Sequence, residues 1–121
     1  MKVYNKEIEL IKLFVYGTLK SRGGINSAFF QTSEFLGTAW VYGELYQQYL
    51  PYLFKGTDKI QGEVYLVPND IYERIVSMEV GANYYEGDIS AHLSDGTEKC
   101  KVFYYSGRYL NKSKCQRITC Y

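Results

Sequence analysis

Phe14-Val15-Tyr16-Gly17-Thr18-Leu19-Lys20 is an apolar run that ends abruptly at a glycine. Phe14, Val15 and Tyr16 read as an apolar strand, and Gly17 stops it. A strand that stops this way leaves several backbone N–H groups unpaired, which suits the turn to holding an anion. Forty residues on, Ile60 to Val67 (IQGEVYLV) reads as a second strand. A helical stretch then places one carboxylate, Glu79, beside an apolar stripe. A backbone anion site together with a carboxylate is suited to proton transfer from a bound anionic small molecule.

Working outward from that run, the first strand covers Ile11 to Tyr16. Ser21-Arg22-Gly23-Gly24 allows a sharp redirection before Ile25 to Phe30, which is long enough for one or two helical turns. Phe35 to Tyr46 mixes aromatic and β-branched residues around Gly37 and Gly43, giving either two strands or one bent strand. Around Pro51 the pattern is aromatic but irregular and predicts a loop near the site, followed by a turn at Gly56-Thr57-Asp58. Asp70 with Glu73 three residues on predicts a helix N-cap, and Ile71, Ile75 and Met78 recur at helical spacing until Gly81 closes the helix, here placed over Ile71 to Glu79. Tyr84 to Leu93 and Glu98 to Ser106 flank Ser94-Asp95-Gly96-Thr97, a hairpin signal. Short strands with one clear helix indicate an α+β fold: a small mixed β-barrel with flanking short helices.

The 121 residues fit one domain, 1–121, whose last part from 107 to 121 is a basic extension. Apolar residues make up 46% and charged residues 22%, which excludes a disordered chain. The fourteen tyrosines suit strands first, and also the wall of a polar ligand pocket. A formal charge of +1 supplies no field to draw nucleic acid or an anionic membrane, so neither is expected as a partner. Arg108, Lys112, Lys114 and Arg117 concentrate positive charge near the end, as a solvated terminus or an anion-binding tail. There is no basic-then-apolar leader pattern and no apolar run near the roughly 20 residues of a spanning helix. The expectation is a soluble, cytoplasmic protein. Cys100, Cys115 and Cys120 form no C-x-x-C pair and are expected as free thiols. His92 is the only histidine, so no metal site is expected; it falls in a strand, as a surface or barrel-wall residue.

Gly17-Thr18-Leu19-Lys20 lacks the second glycine and the Gly-Lys-Ser/Thr ending of a nucleotide-binding P-loop, and no dinucleotide fingerprint or Gly-x-Ser-x-Gly elbow occurs. Glu79 follows the buried stripe by one position at the helix C-terminus. Burial and the negative end of the helix dipole would both raise its pKa and make it a stronger base. The spacing is also compatible with a solvated helix-end glutamate.

Four motifs resemble the gamma-glutamylcyclotransferase-like family, nearest its gamma-glutamylamine cyclotransferase branch. FVYGTLK (Phe14 to Lys20) is similar to the substrate-binding loop and GEVY (Gly62 to Tyr65) to a central strand. MEVGANYY (Met78 to Tyr85) is similar to the segment bearing the catalytic glutamate, and VFYYS (Val102 to Ser106) to a late strand. The resemblance runs from Leu13 to Ser106. It implies a six- or seven-stranded barrel, no cofactor, substrate contacts from Tyr16, Gly17, Thr18, Leu19 and Tyr85, and Glu79 as general acid/base. The implied reaction turns a gamma-glutamyl amine, amino acid or peptide into 5-oxoproline and a free amine. Val76-Ser77 stands where the family commonly has Leu-Asp, and Gly87 where an arginine is expected. A second reading is a binding protein that holds a small polar or phosphorylated metabolite, or another small anion, in the same pocket. Oligomeric state is left open.

Overall fold

A computed structural model describes residues 9–17, 32–108 and 110–121. The segment expected to make helical turns, Ile25 to Phe30, lies outside the described residues, as do Thr18 and Leu19. In chain order the elements are β1 (Leu10–Val15), β2 (Glu34–Gln47), β3 (Pro51–Pro68), α1 (Asn69–Gly81), β4 (Tyr84–Leu93), β5 (Gly96–Tyr105), a 3-10 turn (Lys112–Lys114) and β6 (Gln116–Ile118).

The strands lie in the order β3-β1-β5-β4-β2-β6, and a further β2–β3 pairing curls the sheet into a ring. β1 pairs antiparallel with β3 and parallel with β5, so the sheet is mixed. Closure rests on the long β2–β3 ladder and on a single bridge between Trp40 of β2 and His92 of β4. This is the α+β, helix-flanked architecture expected. Alternation along the strands divides the apolar residues into two cores. Phe14, Val41, Leu45, Leu53, Ile60 and Val102 point into the ring, whereas Leu13, Val15, Val67, Phe103 and Tyr105 face α1, which contributes Tyr72 and Ile75. A strand covered on both faces needs apolar residues at every position, which is why residues 13–16 read as a continuous run.

Phe35 to Tyr46 forms one bent strand: the β2–β3 register shifts between Phe35 and Gly37 and again between Gly43 and Glu44. Gly37 sits at φ 147°, a conformation that side chains disfavour. The loop at Pro51 and the turn at Gly56-Thr57-Asp58 are corrected by the structure, because β3 runs unbroken from Pro51 to Pro68. The turn residues become a bulge. Gly43 pairs with Asp58 and the adjacent Glu44 with Phe54, so residues 55–57 loop off the ladder without ending the strand.

Both ends of the helix also differ from expectation. Pro68 is its N-cap residue and no side chain caps it; Asp70 lies in the first turn and acts there through its charge on the helix dipole. At the other end the left-handed residue is Asn83 (φ 70°), two positions beyond Gly81, and its carbonyl accepts from the Ser106 amide at 3.0 Å. The hairpin is as expected, with β4 and β5 paired from Tyr84↔Tyr105 to Leu93↔Gly96.

Two glycines give opposite expectations. A Cβ on Gly62 would run into the Phe14 ring and the Val15 carbonyl, whereas one on Gly81, on the exposed helix end, meets nothing within 4 Å. Gly62→Ala should destabilise by about 1–3 kcal/mol through overpacking. Gly81→Ala should stabilise by about 0.5–1 kcal/mol. Urea unfolding midpoints measure both, and equal shifts would contradict the packing.

Candidate active site

β1 ends at Val15, and beyond its end lies a cavity of about 190 Å³. Val15, Tyr16 and Gly17 form one side, Leu50 and Pro51 at the tip of the β2–β3 hairpin another, and Met78, Glu79 and Ala82 at the end of α1 a third. Tyr84 and Phe103 complete the wall. Glu79 is the single charged residue among the described lining.

The apolar surround sets the electrostatics. Glu79 is partly buried in the last turn of α1, and loss of hydration pushes its carboxyl up to about 7 from the ordinary 4.5. Two phenols share the cavity. The Tyr16 hydroxyl donates to the Phe103 carbonyl, and the Tyr84 hydroxyl donates to the Pro51 carbonyl at 2.7 Å. Burial pushes both phenols upward, followed for Tyr16 by the charges of Tyr84 and Glu79 and for Tyr84 by that of Glu79. Both hydroxyls stay protonated and are held by backbone, with oxygen lone pairs left to accept.

Tyr16, Gly17 and Glu79 are thus brought to one cavity. Gly17 is constrained by more than a ligand, because the Pro51 Cγ lies 2.5 Å from where its Cβ would stand. Tyr85 is not brought there, which corrects its expected place. It is 46% exposed and its ring lies against Tyr104, 5.7 Å between centroids, while its neighbour Tyr84 turns to the cavity. Successive strand residues point to opposite faces, so a one-residue offset decides which tyrosine is inside. Gly87 has a reason of its own: the Tyr104 ring comes within 2.5 Å of a Cβ there. Val76 packs into the helix-side core, and Ser77 is exposed.

Phe103 was not legible as a lining residue. The segment around Pro51 was expected near the site, as a loop; Leu50 and Pro51 do line the cavity, and it is the pairing of β2 with β3 that carries Pro51 to Gly17. His92 lies on the outer wall, its ring stacked on Trp40 at 3.9 Å, with the Lys59 ammonium 4.6 Å from the Trp40 centroid. Among the described residues no group of three His, Cys, Asp or Glu is placed to hold a metal, and no helix is long and apolar enough to cross a membrane. Cys100 and Cys115 are free thiols, Cys100 buried with its thiol pushed up to about 11 by burial, and Cys120 is exposed.

The family model for gamma-glutamyl cyclotransferase, AIG2-like proteins matches residues 13–119. The chain belongs to this family. The match passes Ser106, where the sequence motifs end, and takes in β6. A Pyrococcus horikoshii protein named as a putative gamma-glutamylcyclotransferase is 40% identical over 75 residues, 61% of this chain. The alignment spans 64% of that relative's length. The crystal structure of that same P. horikoshii protein superposes with a TM-score of 0.73 at 31% identity, covering 90% of this chain and 86% of the other. An AIG2-like protein of Mus musculus shares the fold with a TM-score of 0.80 at 15% identity, over 93% and 88% of the two chains.

The buried carboxylate has a consequence for stability that is independent of catalysis. Its pKa is higher folded than unfolded, so the native state binds more protons between about pH 4.5 and 7. Stability therefore falls as pH rises through that window. Glu79→Gln removes the term. The variant should match wild type near pH 4 and exceed it at pH 8 by up to about 3 kcal/mol. Urea unfolding at the two pH values measures this; an unchanged pH dependence would mean that the carboxylate is not desolvated.

Proposed function

We propose that this chain is a gamma-glutamyl cyclotransferase acting on a gamma-glutamyl amine, amino acid or peptide, with Glu79 as its general acid/base. The observation that carries the reading is Glu79 itself: a carboxyl lifted to about 7 by an apolar cavity that also contains the end of β1. A base with a pKa near neutrality is partly ionised at working pH and, once protonated, is acidic enough to return the proton. Family membership supports the same chemistry.

In this mechanism the substrate's α-carboxylate rests on backbone N–H groups at the Gly17 side of the cavity. Glu79 takes a proton from the α-ammonium. The freed amine attacks the γ-carbonyl within the same molecule, forming the ring C–N bond. Collapse breaks the original amide C–N bond as Glu79 delivers the proton to the departing nitrogen, and the second proton lost by the ring nitrogen passes through the same carboxylate, so that the amine leaves as an ammonium. The products are 5-oxoproline and an amine, with no outside reactant. Nucleophile and electrophile are already joined, so the protein's contribution is to fold the substrate and hold it dry.

A second reading, retention of a small anion without turnover, is favoured by one observation. The position where the resemblance implies an arginine is Gly87, and the space above it is filled by the Tyr104 ring.

Glu79→Gln should retain the fold and lower 5-oxoproline release by about 10²–10⁴-fold. In wild type kcat/KM should fall as pH drops through about 7, because the base must be ionised to accept the proton. A variant as fast as wild type removes Glu79 from the mechanism. Tight binding of a gamma-glutamyl compound with no release at any pH would establish the second reading instead.

A further inference from the structure

We propose, resting on the cyclotransferase reading, that Tyr84 is a positioning residue: its hydroxyl acts through Pro51 to hold the backbone at Gly17 in place opposite Glu79, and takes no part in moving the proton. Pro51 opens β3 opposite Gln47 and, having no N–H, supplies no donor to that rung of the β2–β3 ladder. A bond from another strand holds it: the Tyr84 hydroxyl of β4 donates to the Pro51 carbonyl at 2.7 Å, in a buried setting. The Pro51 ring in turn lies against Gly17, its Cγ 2.5 Å from where a Gly17 Cβ would stand. One hydroxyl on β4 therefore reaches, through one proline, the backbone on which the substrate's α-carboxylate rests.

The geometry separates this role from packing and from acid–base chemistry. The Tyr84 ring is held without its hydroxyl: it stacks on Tyr52 at 6.3 Å between centroids and meets Tyr105 edge-on at 5.1 Å. The hydroxyl proton is committed to Pro51, and that of Tyr16, the other phenol of the cavity, to the Phe103 carbonyl. Neither phenol gives its proton to Glu79, whose carboxyl is raised by loss of hydration. Tyr84→Phe thus keeps the ring contacts and the apolar surround of Glu79, and deprives only the Pro51 carbonyl of its donor.

The test follows 5-oxoproline release across pH from gamma-glutamyl-isobutylamide and gamma-glutamyl-glycine, using whichever wild type turns over faster. Tyr84→Phe should lower kcat/KM about tenfold, the size of one neutral hydrogen bond. The loss should fall on KM, with kcat per folded molecule within about twofold, because the backbone at Gly17 holds the substrate alike before and during reaction. The acidic limb should stay at about 7. Pro51→Ala keeps the carbonyl but removes the ring that meets Gly17, and should give the same two results. The double variant should lose no more than the larger single loss, because the two residues act in series. Either single variant as efficient as wild type, losses that multiply in the double variant, a fall in kcat per folded molecule at unchanged KM, or a limb displaced from about 7 each overturns the positioning role and leaves the cyclotransferase reading standing. No 5-oxoproline from wild type on either compound overturns both.

Discussion

The burial of β1 on both faces is the constraint from which the rest of the structure follows. Leu13, Phe14, Val15 and Tyr16 are all buried, alternately against α1 and into the ring. Because neither face is available to water, β1 needs a neighbour on each edge and a layer on each side. β3, β5, α1 and the curled sheet supply these. A strand so enclosed cannot continue past its covering layers, and at Gly17 the chain emerges against Pro51. The cavity is the space left where β1 ends and the covering elements do not yet meet.

The helix can hold an unfavourable carboxylate there because its other contacts outweigh it. Ile75 is fully buried and contributes about 1.5–3 kcal/mol. The large ring of Tyr72 is buried beside it, and its hydroxyl donates to Glu86 of β4 at 2.5 Å. Against these, ionising Glu79 costs on the order of 3 kcal/mol at high pH. The balance leaves α1 docked with Glu79 ionisable near neutrality. A more polar pocket would remove the cost and return the carboxyl to its ordinary range, where it is a weaker base.

What was legible in the sequence was what local chemistry specifies. Asp95-Gly96 marked the hairpin, Gly37 and Gly43 marked the bends of β2, and the Ile71-Ile75-Met78 spacing marked the helix and put Glu79 at its end. The misreadings arose where tertiary pairing overrides a local signal. Gly56-Thr57-Asp58 has turn chemistry and does turn, but inside a strand whose ladder resumes on the other side. Asp70 has the capping residue type, yet the backbone is already helical one residue earlier because Pro68 sets the entry angle. Tyr84 and Tyr85 are chemically the same, and only the β4–β5 register places the first inward. Pro51 and Leu50 reach the cavity through long-range closure, which no local period encodes.

That closure also gives the basic segment near the end of the chain an inward role. β6 pairs with β2 from Leu45↔Ile118 to Gln47↔Gln116, and the Gln61 amide donates to the Thr119 carbonyl at 2.7 Å. Arg117 spans the bulge, 2.8 Å from Asp58 and 3.8 Å from Glu44, the residues on either side of the register break. Exposed ion pairs contribute little singly, so the backbone ladder holds this segment and the pairs fix its register. Lys112 lies 4.2 Å from the Phe54 ring centroid, and Phe54 meets Tyr105, which meets Tyr84, whose hydroxyl holds Pro51 at the cavity. Two of the four cations that could have formed an anion-binding tail are thus engaged with the sheet. They brace the bulged strand whose N-terminal end, at Pro51, walls the cavity.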